Sequence, residues 1–353
     1  MSLRRGPVSP HRAPFGLRRA PHSRRRVSLR RRSVSIPLRR APLRRACAVL
    51  AWACAVACGD SVPEPTDGPV GGGADESDPA LSSSYDRHFV FMSFAGDSAF
   101  VVPWLMRAVE RPGAVEREAR GWLDRGGRWE AFYEERWEAP PTRAPARVLP
   151  RGSLKLMVRE GDAVDGILFE EGPRRLEIAL GSSRAIWTGP RGGTVELVEG
   201  AAYLADQRVD GVVLHMARAS AGSAAGGDWA FLMSGDSLQI VLAADIEHGS
   251  EAQPVYRGWA DLDGEEVQWP AVRLDWSQTQ AFPPARRDVP VAWRITTADG
   301  AIEGALRARS SDLSAGEGSG PLRPVRALFE VAGSVSLGGN SFPVQGLLVH
   351  ERR

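Results

Sequence analysis

Cysteine is almost absent from this sequence, and its three copies all lie near the amino terminus. After Cys58 the remaining 295 residues contain none. This absence excludes disulfide bonds within the downstream fold, and it excludes any metal site built on thiolates there.

Acidic residues are missing from the first 45 positions, which hold fifteen Arg. The apolar run ACAVLAWACAVAC follows from Ala46 to Cys58. Thirteen apolar residues are too few to span a bilayer core of about 30 Å permanently, and a basic segment before such a run is typical of a secretory signal. Its end, Ala55-Val56-Ala57-Cys58, fits the lipobox at which bacterial lipoproteins are acylated and cut. The sequence therefore predicts a basic arm and lipoprotein signal peptide over residues 1–57, with a lipid anchor on Cys58.

Other interpretations of this region remain open. They are an ordinary signal peptide with an incidental Cys, a twin-arginine export signal at Ser23 to Leu29, and a basic arm that binds nucleic acid. Beyond the signal, 30 basic residues face all 43 acids, so the part of the chain from Cys58 has a net charge of −13. Because this charge repels nucleic acid, we expect none as a partner. We expect a location in the cell envelope, lipid-anchored to a bacterial membrane and facing the periplasm or the exterior.

Four segments recur in the same order at offsets of 135 to 140 residues, which indicates a tandem duplication. GWLDRGGRWEAFYEERW from Gly121 returns as GWADLDGEEVQWPAVRLDW from Gly258, and FVFMSFAGDSAFVV from Phe89 matches WAFLMSGDSLQIVL from Trp229. The boundaries follow from composition. We predict a flexible acidic tether over residues 58–84, a first β unit over 85–218, a linker over 219–227 and a second β unit over 228–353.

Inside each repeat the dominant period is two, with turn residues every eight to twelve positions. Leu176 to Leu180 and Gln239 to Leu242 are short apolar or alternating runs of this kind. The pattern predicts an all-β chain in which each unit is an antiparallel barrel or sandwich of roughly eight strands. One stretch, Ala114 to Asp124, has helical character; because its counterpart contains Pro254, we interpret it as a loop or a short helix. We expect a monomer.

Two tandem, Trp-rich β units behind a lipoprotein signal resemble the AttH and carotenoid-hydratase group. The resemblance covers Tyr85 to Arg353 and rests on layout and on the placement of Trp. It implies two tandem duplicated lipocalin-like antiparallel β barrels or sandwiches. The string nearest to an Asp-His-x-Trp-Gly signature is Leu274-Asp275-Trp276-Ser277, and no catalytic residue is transferred on that basis.

Tryptophan is the best clue to a ligand. Six of the eleven recur at matched positions: Trp122, Trp129 and Trp137 in the first copy, and Trp259, Trp269 and Trp276 in the second. Even spacing places Trp129 and Trp137 on one face of a strand. The rings either pack in a core or line a cavity for an apolar or amphiphilic small molecule.

Three further patterns suggest chemistry but have simpler explanations. Gly235-Asp236-Ser237-Leu238 spells a hydrolase motif, yet Gly96-Asp97-Ser98 repeats it, which favours a hairpin turn. The acidic cluster Asp261 to Glu266 resembles part of a calcium loop and is interpreted as a solvated turn. His215 and His350 recur at matched positions and are interpreted as caps of edge strands. We expect no metal, and no cofactor, since GPRGGT at Gly189 lacks the Lys of a phosphate loop.

These observations favour a membrane-tethered envelope lipoprotein that binds or carries a hydrophobic or amphiphilic small molecule, and they favour binding over catalysis. One alternative is a cofactor-independent hydratase or isomerase acting on a lipid or terpenoid, with buried carboxylates such as Glu135 or Asp275 as acid and base. The other is a structural or protein-interaction module of the envelope.

Overall fold

The computed structural model describes the chain from residue 83 onward. The described residues are 83–95, 98–142, 150–159, 163–189, 193–205, 207–221, 228–244, 254–318 and 320–352. The expected signal peptide with Cys58, the tether up to residue 82 and residues 222–227 of the expected linker lie outside this range.

Nine antiparallel strands form the first unit. They are β1 (Ser83–Ala95), β2 (Ser98–Arg111), β3 (Ala114–Arg125), β4 (Trp129–Ala139), β5 (Leu154–Val158), β6 (Val164–Glu171), β7 (Arg174–Thr188), β8 (Thr194–Leu204) and β9 (Gln207–Ala221). Strands that follow one another in the chain pair with each other, except β4 and β5, and β1 also pairs with β9. The unit is thus an up-and-down sheet that curls round on itself and is left open between the edge strands β4 and β5.

Eight antiparallel strands form the second unit. They are β10 (Trp229–Ser234), β11 (Leu238–Ala244), β12 (Val255–Leu262), β13 (Glu265–Phe282), β14 (Arg287–Thr296), β15 (Ile302–Ala315), β16 (Val325–Leu337) and β17 (Asn340–Arg352). Here β10 pairs with β17, so the barrel is closed. The expected all-β fold of two tandem barrels is confirmed.

The expectation of a loop or short helix at Ala114 to Asp124 is wrong, because these residues form strand β3. Its positions alternate as a strand requires, but the outward ones include Glu116, Glu118 and Arg120, which are only partly exposed. Charged side chains on a half-buried face hide the apolar alternation by which strands are recognised. Apart from one 3-10 turn at Pro283–Ala285, the described residues contain no helix. Accordingly, no described helix has the length and apolar character needed to cross a membrane.

The hairpin turns follow the sequence closely. Gly235, with φ of +57°, opens the turn between β10 and β11, so the hydrolase-like string is a hairpin turn as predicted. Gly96 and Asp97 of the first copy lie outside the described residues. At the acidic cluster, Asp263 and Gly264 both have positive φ and form a two-residue turn between β12 and β13. The backbone amide of Gly264 donates to Asp261 Oδ1 at 2.8 Å, and the interpretation as a turn is confirmed.

Three apolar layers hold the structure together. One fills the interior of the first unit, including Trp104 and Phe132, and one fills the second barrel, including Trp293 and Phe329. The third lies between the units and joins residues of both, among them Trp122 and Trp259. Since burying one aromatic side chain removes about 150–250 Å² from water, this middle layer makes the two barrels one packed structure.

The repeated Gly-Trp dipeptide has a structural reason. In each copy the Trp points into the layer between the units, while the preceding Gly faces its own barrel interior beneath an aromatic ring. A Cβ atom at Gly121 would lie 2.5 Å from the Trp104 ring, and one at Gly258 would lie 2.8 Å from the Trp269 ring. Any side chain at either Gly would therefore displace a core indole.

Candidate active site

The six matched tryptophans lie in three different environments. Trp122 and Trp259 are buried between the units. Trp129 packs at the edge of that layer and donates from Nε1 to Ser310 Oγ at 3.0 Å. Trp137 lies inside the first unit and Trp269 inside the second barrel. Trp276 is 38% exposed, and none of the six lines any of four clefts that described residues form.

Trp129 and Trp137 do not share a face, contrary to the prediction from their spacing. A β-bulge lies where Gly121 pairs with Tyr133 and Trp122 pairs with Ala131, which leaves Phe132 as an extra residue in β4. One extra residue reverses the alternation of side chains beyond it, so Trp129 faces the second unit and Trp137 faces the interior.

The carboxylates proposed beside these tryptophans are not deeply buried. Glu135 is exposed on the edge strand β4, although Tyr133 and Trp137 on either side of it on the same face are buried. Asp275 retains 32% of its side-chain exposure. The interpretation of Glu135 as a buried acid or base is therefore wrong, and Asp275 is only half-buried.

A different acid–base group lies at one end of the second barrel. Asp228 immediately precedes β10, and His350 lies near the end of β17. Because β10 and β17 pair to close the barrel, with Trp229 opposite Val349, these two residues become neighbours although they are 122 positions apart. Nδ1 of His350 lies 3.0 Å from both carboxylate oxygens of Asp228, and both side chains are buried.

Two further donors hold the Asp228 carboxylate. The Tyr256 hydroxyl donates to Oδ2 at 3.4 Å, and the backbone amide of Glu351 donates to Oδ1 at 3.3 Å. Burial and then the negative charge of Asp228 raise the pKa of Tyr256 well above its usual value, so the phenol keeps its proton and remains a donor.

The second ring nitrogen of His350 remains free. Since an ionised Asp228 can only accept, Nδ1 carries the proton and Nε2 carries the lone pair when the imidazole is neutral. Nε2 is buried and has no hydrogen-bond partner among the described residues. The Trp276 ring stands edge-on to the imidazole, with centroids 5.3 Å apart, and the Arg352 guanidinium lies 5.2 Å above the Trp276 ring. The partly exposed indole of Trp276 therefore lies directly against the buried imidazole.

The matched His215 differs from His350 at its Nε2 atom, which has a hydrogen-bond partner. Its Nδ1 lies 3.4 Å from Glu196 Oε2, but its Nε2 accepts a hydrogen bond from Arg87 Nε at 3.2 Å, and its ring is stacked on Phe89. Only the second copy keeps the outer nitrogen free. The interpretation of both histidines as caps of edge strands is wrong, because β9 and β17 each pair with a strand on both sides.

A buried charge network adjoins this site and links the two units. Arg107 bridges Asp86 and Glu351 at 2.8 Å each, and Arg326 bridges Glu351 at 2.7 Å and Glu118 at 2.9 Å. Burial alone would raise the pKa of Glu351, but Arg107 and Arg326 outweigh it and hold the pKa well below the usual range. His88, buried beside the network, has its pKa lowered by burial to about 4 and is neutral at physiological pH.

Another buried carboxyl group, that of Asp124, lies between the units. Burial, and then the neighbouring Glu330 of β16, raise the pKa of Asp124 to about 7. Ser310 donates to Glu330 Oε2 at 3.0 Å and accepts from Trp129.

Sequence reasoning missed Asp228, Tyr256, Asp124 and Glu330. Asp228 has no acidic counterpart in the first copy, where Phe89 stands opposite His215, so the repeat gave no signal for it. Among the described residues, no three His, Cys, Asp or Glu side chains come together as a metal site.

A cleft with a volume of about 590 Å³ lies near the hairpin end of β1 and β10. Its apolar wall includes Met92, Phe94 and Met233, and its charged wall includes Arg184 and Asp236. It therefore offers both apolar and ionic contacts.

Three solved structures are similar to most of this chain. Kievitone hydratase from Nectria haematococca has 12% identity and a TM-score of 0.47, over 80% of this chain and 92% of its own. A putative AttH from Nitrosomonas europaea has 13% identity and a TM-score of 0.46, over 80% and 99%. CghA has 12% identity and a TM-score of 0.41, over 76% and 88%. The AttH group named from the sequence thus appears among the structural neighbours. No protein-family model and no curated protein matches the sequence.

Proposed function

We propose that this chain is a cofactor-independent acid–base enzyme of the hydratase or isomerase type, acting on a lipid-like or terpenoid-like small molecule. The observation that carries the proposal is the His350 imidazole. One of its nitrogens is fixed by a buried carboxylate, and the other is left without a partner among the described residues.

The geometry suits reversible proton transfer. In an isomerisation, His350 Nε2 accepts a proton from the carbon next to a C=C double bond. The C–H electron pair forms the new double bond, the π electrons of the old double bond move to its far carbon, and the imidazolium returns the proton to that carbon. Asp228 stabilises the imidazolium and fixes its orientation, while Tyr256 and the Glu351 amide keep the carboxylate in place. This isomerisation is redox-neutral and uses no co-reactant. In a hydration, water is the second substrate: His350 takes a proton from it, its oxygen bonds to one carbon of the double bond, and the π electrons take the proton at the other carbon.

Access to His350 requires displacement of the Trp276 ring. His350 is fully buried, whereas Trp276 beside it is 38% exposed. An apolar substrate that stacks on the indole, with a polar or anionic end toward Arg352, matches the surface at this end of the barrel.

The first test is isotope exchange. Purified protein would be incubated in D₂O with unsaturated fatty acids and with isoprenoid alcohols, and products would be followed by mass spectrometry for deuterium incorporation and for gain or loss of water. We expect His350→Gln to abolish exchange and Asp228→Asn to lower it about 10²-fold or more, as expected for loss of a general base.

His215→Gln is the matched control and should behave as wild type. ¹⁵N NMR adds a measurement that needs no substrate, because it reports which imidazole nitrogen carries the proton. A His350 protonated on Nε2 at neutral pH, or an active His350→Gln variant, contradicts the proposal.

A second candidate function is that of a carrier, and the 590 Å³ cleft favours it. Its volume falls within the range of about 300–1,000 Å³ that is usual for small-molecule sites. Calorimetric titration with a lysophospholipid tests it, with Met233→Arg to fill the cleft. Binding unaffected by this variant excludes the cleft as the carrier site.

We also propose that the chain works at a bacterial membrane surface. The lipobox ending at Cys58 supports this part of the proposal. A lipid anchor would place an enzyme or carrier close to membrane-derived apolar molecules.

A further inference from the structure

A smaller pocket opens at the mouth of the first unit, where the β3–β4, β6–β7 and β8–β9 turns meet. Its volume is about 250 Å³, and it shares no lining residue with the 590 Å³ cleft. Its apolar lining consists of Leu123, Phe132, Phe169, Pro173, Leu176 and Leu204.

The floor of this pocket is the core of the first unit. Phe132 and Phe169 pack edge to face with ring centroids 4.8 Å apart, and both belong to the interior apolar layer. Phe132 lies on the edge strand β4, and Phe169 lies on β6, across the opening of the sheet. Side-chain contacts, such as the ion pair between Arg174 and Glu130, therefore hold the pocket walls together at this point.

The rim of the pocket is basic. It carries Arg125, Arg174 and Arg175 against the single acid Glu130. Arg174 and Arg175 are engaged by glutamates. Arg125 forms no ion pair with any described residue, and its guanidinium rests 5.5 Å above the Phe100 ring. A free cation at the edge of an apolar pocket is complementary to an anionic head on an apolar chain.

The duplicated hairpin of the second unit shows the opposite charge. The matched turn carries Asp261, Asp263, Glu265 and Glu266, and none of these acids lines any of the same four clefts. The basic rim is thus a property of the first unit and not of the fold. We propose that this pocket binds a free fatty-acid anion of medium chain length, with the carboxylate on Arg125 and the chain against Phe132 and Phe169.

The test is calorimetric titration of the full chain with decanoate below its micellar concentration. We expect saturable binding that weakens about tenfold or more in Arg125→Ala, and weaker binding of decyltrimethylammonium, which has the same chain and the opposite charge. Arg111→Ala is the matched control, because Arg111 is an exposed arginine at the opposite end of the β2–β3 strand pair.

A second variant tests the apolar part without emptying the core. Leu204→Trp fills the pocket from its partly buried rim and should abolish decanoate binding, with an unchanged circular dichroism spectrum. His350→Gln should leave decanoate binding unchanged, which separates this site from the proposed enzyme.

Several outcomes overturn the proposal. These are equal affinity in Arg125→Ala and wild type, equal affinity for decanoate and decyltrimethylammonium, or no binding at millimolar decanoate. Binding of phosphatidylglycerol vesicles with the same dependence on Arg125 also overturns it, because the pocket would then be a membrane contact and not a fatty-acid site.

Discussion

Nδ1 of His350 lies 3.0 Å from both oxygens of Asp228, although one residue starts the second barrel and the other nearly ends it. The carboxylate fixes the tautomer of the imidazole, and the remaining nitrogen faces a partly exposed indole. This pair is the most specific chemical arrangement among the described residues.

Replacing Trp276 should expose the base. In Trp276→Ala the imidazole of His350 loses the ring that stands 5.3 Å away, so diethyl pyrocarbonate should modify it much faster than in wild type. Peptide mass spectrometry measures the rate, with His215 as the internal reference. An unchanged rate at His350 means that Trp276 does not separate this residue from solvent.

Asp124 should make the protein less stable as the pH rises. Its pKa in the folded state is about 7, above the value of about 4 in an unfolded chain. The folded state therefore binds the proton more tightly, and this stabilisation is full below pH 4 and lost as the pH rises through 7.

Asp124→Asn removes this titration, and at pH 8 it should raise the free energy of unfolding by roughly 2–4 kcal/mol over wild type. Urea unfolding at pH 5 and pH 8 measures the difference, with the exposed Asp288→Asn as control. The same pH dependence in Asp124→Asn and wild type rules out Asp124 as its source.

Arg107 should matter far more than Arg111 on the same strand. Arg107→Met leaves Asp86 and Glu351 buried without this partner, which should cost about 3–5 kcal/mol. Arg111→Met breaks only an exposed pair with Glu116 and should cost less than about 1 kcal/mol. Denaturant unfolding at pH 7 compares them, and similar losses would show that the network does not stabilise the contact between units.

Because the pKa of Glu351 is lowered, the stability that this network contributes should fall as the pH falls, which is opposite to the pH dependence expected from Asp124. Its stabilisation is present above the pKa of about 4 in an unfolded chain and is lost as the pH falls through the lower folded value. Wild type should therefore lose stability in acid more steeply than Arg107→Met.

The loss of stability on replacing a tryptophan should depend on where its ring lies. Trp122→Ala and Trp259→Ala each open a cavity in the layer between the units and should each cost about 3–5 kcal/mol of the free energy of unfolding. Trp276→Ala removes a partly exposed ring and should cost less than about 1.5 kcal/mol. Equal losses at all three sites would contradict the described burial.

Cys58→Ala tests the proposed anchor. Without a Cys to acylate, the protein should move from the membrane fraction to the soluble fraction or accumulate as an uncleaved precursor. Fractionation followed by immunoblotting measures this, with Cys54→Ala as the matched control. A wild-type protein found wholly in the soluble fraction excludes the anchor.

Much of the fold could be predicted from the sequence. The alternation of apolar residues with a period of two and the repeated hairpins predict two β units. The acidic cluster around Asp263 and Gly264 predicts a turn. Strand β3 could not be recognised, because Glu116, Glu118 and Arg120 face a polar contact between the units and break the apolar alternation. The bulge at Phe132 was equally invisible, since it depends on pairing between β3 and β4.

The candidate site was predictable only in part. His350 was visible as a repeated residue, but its partner Asp228 was not, because 122 residues separate them and only the closing strand pair brings them together. Nε2 accepts a hydrogen bond from Arg87 in His215 and has no partner among the described residues in His350. This difference depends on residues that are neighbours in space, so no local sequence pattern predicts it.

The pairing of β10 with β17 closes the second barrel and also assembles Asp228 with His350. Asp228 and His350 consequently come together only in a chain in which β17 has been synthesised and has paired with β10. A growing or truncated chain that lacks β17 has neither the closed barrel nor the contact between Asp228 and His350, so the proposed proton transfer would become possible only after the last strand pair has formed.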